Sequence, residues 1–145
     1  MKDIVRIFEE YATAKSYEYH YGDKAVLNII DTNINYTGLI DGIIYFLHEY
    51  RKGSINKGQS VISQSMDYTG KFFLVKKSNL NQIHDEKYVQ NIEPLIQAFA
   101  QMENYFGCTN IDIQELNFID VTDVLDENMD GILVEYKVNV PNYVV

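Results

Sequence analysis

Gly131-Ile132-Leu133-Val134-Glu135-Tyr136-Lys137-Val138-Asn139-Val140-Pro141 decides the fold. Ile132, Val134, Tyr136, Val138 and Val140 alternate strictly with their neighbours, a period of two that places one apolar row on one face of a strand. Pro141 ends the run because proline donates no ladder hydrogen bond. Upstream, Ile111, Ile113, Leu116 and Phe118 predict another strand. Between the two lies Asp126-Glu127-Asn128-Met129-Asp130-Gly131, an acidic, glycine-closed turn in which Asn and Asp tolerate unusual backbone angles.

Two helical signals frame this β-rich chain. In residues 3–15 Ile4, Val5, Ile7, Phe8, Tyr11 and Ala12 follow the i, i+3, i+4, i+7 pattern, with Asp3 placed to favour the helix start. In residues 82–106 Ile92, Leu95, Ile96, Phe99, Ala100 and Phe106 share one side, and Gly107 stands at the stop position. Pro94 lacks an N–H and disfavours helix at Glu93, which predicts either a kink or a short first helix ending near Asn91.

The middle of the chain reads as strands and turns. Tyr17, Tyr19 and Tyr21 alternate with Glu18 and His20 up to Gly22-Asp23, and an apolar run, Ala25 to Ile30, follows. Asp31–Asn33 and Asn35–Gly38 are turn-forming, and Ile43–Leu47 is a buried strand. Residues Gly53–Gly58 are polar and flexible in composition. Val61–Met66 and Lys71–Val75 flank Asp67-Tyr68-Thr69-Gly70, read as the turn of a hairpin able to protrude. The fold expected is α+β, a single domain over residues 1–145: a small, mainly antiparallel sheet, an N-terminal helix, a second helix packed on it and a protruding hairpin.

A 145-residue chain can bury a core without disulfides or metal. Cys108 is the sole cysteine, so no intramolecular disulfide forms, and its thiol is expected buried or idle. Charges in Met1–Arg6 interrupt any signal-peptide-like apolar stretch and no run reaches membrane-spanning length, so a cytoplasmic protein with no membrane partner is expected. Twelve Lys and Arg against 21 Asp and Glu give −9, a charge that repels a phosphate backbone and disfavours nucleic acid as a partner. Twelve tyrosines suit both strands and wet protein interfaces.

Each candidate for chemistry meets a simpler reading. Asp126, Asn128, Asp130 and Gly131 match the first half of a calcium loop, but Lys137 stands where a bidentate Glu is required and a strand follows, so the turn is the expected role. His20, His48 and His84 have no His or Cys at ligand spacing and read as structural. Cys108 follows a helix C-terminus, whose dipole opposes a thiolate. Lys71, Lys76 and Lys77 beside Phe72 and Phe73 form the most basic stretch, explained as edge-strand lysines at least as well as by binding of single-stranded nucleic acid. No nucleophile elbow, phosphate loop, dinucleotide fingerprint or zincin motif occurs. No catalytic, cofactor or metal residue is assigned, and no enzyme is expected.

The order of elements, with the ending Val124-Leu125-Asp126-Glu127-Asn128-Met129-Asp130-Gly131-Ile132-Leu133-Val134-Glu135-Tyr136-Lys137-Val138, resembles small bacteriophage tail-terminator and head–tail connector (neck) proteins. The resemblance implies a helix first, a small antiparallel sheet with a long hairpin, a helix packed across it and a last strand entered through a polar turn. It implies a non-enzymatic virion structural protein, a homo-oligomeric ring assembled in the host cytoplasm and joining portal, adaptor or tail proteins. The alternative is a small intracellular protein-binding or regulatory module whose acidic face meets a basic partner.

Overall fold

The computed structural model describes residues 2–22, 42–58, 64–77, 86, 88–124 and 129–141. Helix α1 spans Ile4–Ala14 and buries Ile4, Ile7, Phe8, Tyr11 and Ala12, the row its spacing predicts. Asp3 caps it, its side chain accepting the Val5 N–H at 3.1 Å. At the other end Ser16 turns left-handed (φ 63°) so that the Ser16 and Tyr17 N–H groups return to the Thr13 and Ala12 carbonyls.

Strands β1 (Glu18–Tyr21), β2 (Tyr45–Asn56), β3 (Ser65–Lys77), β4 (Asp112–Val124) and β5 (Met129–Pro141) form one sheet in the order β1-β2-β3-β5-β4. β1 runs parallel to β2, and the other three pairings are antiparallel. The fold is α+β with a mixed sheet.

Two expectations in the middle of the chain are corrected. Asp67–Gly70 is not a turn but lies inside β3, which stays in register with β5 from Ser65↔Pro141 to Lys77↔Met129. Gly70 can sit in a strand because the Tyr136 ring folds over it from the facing position; a Cβ there would stand 2.6 Å from the Tyr136 hydroxyl. Residues 53–56 belong to β2, whose outer part is exposed and therefore as polar as a loop. The hairpin is the β2–β3 pair, and its outer strand runs on past the end of β1, which stops at Tyr21↔His48.

Residues Tyr88–Ile92 form a π turn, followed by α2 (Glu93–Ala100) and α3 (Met102–Gly107). The break expected at Pro94 is present: it falls in the first turn of α2, where a missing N–H leaves no helical carbonyl unpaired. Residues 23–41, 59–63 and 78–85 include the apolar run Ala25–Ile30, both turn-forming stretches, the start of Val61–Met66 and His84; these lie outside the described residues.

The main core lies where the helices meet one sheet face. Phe8 is its centre, with ring centroids 5.5 Å from Phe46, 5.5 Å from Phe72 and 5.0 Å from Tyr136. Phe46 stacks at 4.4 Å on Phe72, which lies diagonal to it across the β2–β3 ladder. Gly131 brings β5 close to its surroundings: a Cβ there would meet Leu95 of α2 at 2.9 Å and collide with the Leu74 carbonyl. Tyr45, Leu47, Val75 and Met129 make a smaller cluster on the other face.

Candidate assembly surface

A β-bulge between His48 and Tyr50 divides β2 into two halves of different character. Before it, His48 points into the core and is fully buried. Its Nδ1 lies 2.8 Å from the Tyr19 hydroxyl and its Nε2 2.6 Å from that of Tyr136. A neutral imidazole offers one N–H and one lone pair, so one hydroxyl accepts from the ring and the other donates to it. Burial, with help from Arg51 and against Asp3, pushes the imidazole pKa down to about 3. With both nitrogens held by tyrosines in a closed core, His48 specifies packing.

The extra residue shifts the alternation, so that Arg51 rather than Tyr50 turns to the helix side. Arg51 Nη2 donates to Asp3 Oδ2 at 2.7 Å, and Asp3 thereby caps α1 and ties it to β2. The bulge thus fixes the helix on the sheet and sends the rest of β2 outward.

The residues singled out for chemistry do not converge. Asp130 is buried and accepts from Asn91 Nδ2 at 3.0 Å, joining β5 to the π turn; Asp126 and Asn128 lie outside the described residues. Among the described residues no three His, Cys, Asp or Glu side chains gather as a metal site. His20 meets Glu18 at 3.1 Å. Cys108 is exposed, which removes the buried alternative of the two expected for its thiol. Lys71, Lys76 and Lys77 lie on β3, the third of five strands, so they do not guard an edge. Phe72 beside them is fully buried and has no face to offer a base. No helix among the described residues is long and apolar enough to cross a membrane.

Among the described residues the fold leaves open the outer edge of the four-residue β1 and two longer strand edges. Past Tyr21↔His48 the outer edge of β2 pairs with no strand among the described residues, over the regular run Tyr50–Asn56. The outer edge of β4 is likewise unpaired, and between its two bulges the regular run is Glu115–Val121. Each run is seven residues long. Apolar side chains stand on both: Ile55 is 58% exposed on the first, Ile119 61% and Phe118 41% on the second. The sheet face between them carries Lys71, Glu135 and Lys137 around a shallow depression of about 310 Å³.

Charge separates the same two edges. Residues 88–136 contain ten Asp and Glu and no Lys or Arg, so the chain's whole negative excess lies there. Residues 50–66 contain Arg51, Lys52 and Lys57 and no carboxylate. This signal was available in the sequence, but a single net charge averages it away.

Fold and surface together define an α+β domain built on an open-edged mixed sheet, with α1, α2 and α3 packed on one face. A scan against protein-family models finds no match, and searches of curated proteins and of solved structures find none either.

Proposed function

We propose that this chain is a non-enzymatic structural subunit of a phage virion, a ring-forming head–tail connector or tail-terminator protein. The observation that carries the reading is the pair of open edges on one sheet, each backed by a rigid paired strand and each bearing exposed apolar side chains. Unpaired strand edges are templates for another chain, and a subunit with two of them can be joined on both sides. The element order adds support: helix, long hairpin, helices across the sheet, closing antiparallel strands. Its function is then to hold neighbours in fixed geometry, which asks for stiffness and edge complementarity and for no reacting group.

Light scattering at two protein concentrations, at low and physiological salt, tests the reading. A closed oligomer of defined mass that includes several copies is the expected result. A monomer that instead forms a one-to-one complex with a basic protein would replace the ring with the binding-module alternative.

A further inference from the structure

We propose that neighbouring copies join head to tail, the free edge of β2 (Tyr50–Asn56) of one copy pairing with the free edge of β4 (Glu115–Val121) of the next. The proposal rests on the self-assembly read above and names its contact.

Charge selects the pairing. A β4–β4 contact would set strands carrying Asp112, Glu115 and Asp120 against each other, with no basic residue in either. A β2–β2 contact would bring together Arg51 and Lys52 of the strand and Lys57 just past its end. Only the mixed contact sets basic against acidic, and like charges facing across strands destabilise a sheet. Among the described residues Lys52, Lys57, Asp112, Glu115 and Asp120 make no ion pair within their own chain.

Topology makes the contact intermolecular. β3 and β5 stand between β2 and β4, so the two edges of one copy are about 14 Å apart across the sheet and face away from each other. Two different patches on opposite edges give a heterologous contact, which closes into a ring when the rotation per subunit allows. Strand direction agrees: β2 and β5 run one way, β3 and β4 the other, so a copy added in the same orientation sets β2 antiparallel to the neighbour's β4. With the two seven-residue runs in full overlap, Arg51 falls opposite Asp120 and Ile55 opposite Leu116. Both pairs lie on the helix side of the combined sheet, as alternation from Arg51↔Gly70 and Leu116↔Tyr136 requires.

The test uses the full chain with charges reversed on one edge at a time: Lys52→Glu with Lys57→Glu, and Glu115→Lys with Asp120→Lys. All four side chains are exposed, so circular dichroism and melting should match the wild type. Each variant alone should assemble at least ~10-fold more weakly. An equimolar mixture should regain large assemblies in which the two variants alternate, because the wild-type β4 edge of one meets the wild-type β2 edge of the other and the two reversed edges are again complementary. Carrying all four reversals in one chain should restore the large oligomer. Variants that assemble like the wild type, or a mixture that stays as weakly associated as each variant alone, would overturn the head-to-tail contact while leaving a ring-forming function standing. A wild-type chain that stays monomeric at every concentration would overturn both.

Discussion

β4 and β5 are both 13 residues long and lie side by side, yet they do different work. β5 is bonded on both sides, to β3 and β4, and nearly every second residue from Met129 to Val140 is buried. Among the described residues β4 is bonded on one side, and from Asn117 to Asp120 it is exposed on both faces. A central strand stores the fold's stability because its substitutions must be absorbed by packed neighbours on every side. An edge strand can change its surface with little effect on folding, and so is where association can be specified.

The sharpest way to break this contrast is Gly131→Ala. One added carbon would meet the Leu74 carbonyl and Leu95, and a backbone atom cannot give way; a loss of about 3 kcal/mol or more in urea unfolding is expected. Near-wild-type stability would mean that the centre of the sheet is looser than its geometry.

Acid should act on the same central region. In the unfolded chain His48 takes up a proton near its ordinary pKa of 6.5, whereas in the fold it does not until about 3. The unfolded state therefore binds more protons in that window, and His48's contribution, complete above about pH 6.5, is lost as pH falls towards 3. Between pH 6 and 5 the cost approaches ~1.4 kcal/mol. Subtracting the pH dependence of His48→Gln isolates it, and identical slopes in both proteins would show that the imidazole is accessible to protons in the fold.

The smallest effect belongs to the edge. Ile119→Thr, at a side chain 61% exposed, should leave stability within about 0.5 kcal/mol by thermal melting. The same substitution should weaken assembly, and a large loss of stability would place Ile119 in the core.

The same contrast explains what the sequence disclosed. β5 alternates cleanly because one face is buried and the other is wet, and α1 is legible because five residues of one stripe are buried. β2 was truncated to its apolar start because its outer half has no buried face to mark it. Asp67–Gly70 imitates a turn, since the ring that makes Gly70 tolerable in a strand comes from Tyr136, far along the chain. The His48 network needs Tyr19 and Tyr136 as well, and no local pattern brings those three together. The two long open edges were hidden for a different reason: exposed residues obey no burial period, and only their charge separates them.

β1 ends opposite His48, and that early stop has a geometrical consequence. His48 is level, across Phe72 and Val134, with Phe118, the midpoint of the free run of β4. The free run of β2 lies entirely beyond that level, so each added copy would be displaced along the strand direction by roughly 15 Å. A closed ring permits no net climb. Its strands would have to lean away from the ring axis, all in the same sense, as blades do in a turbine, and the length of β1 would set their pitch.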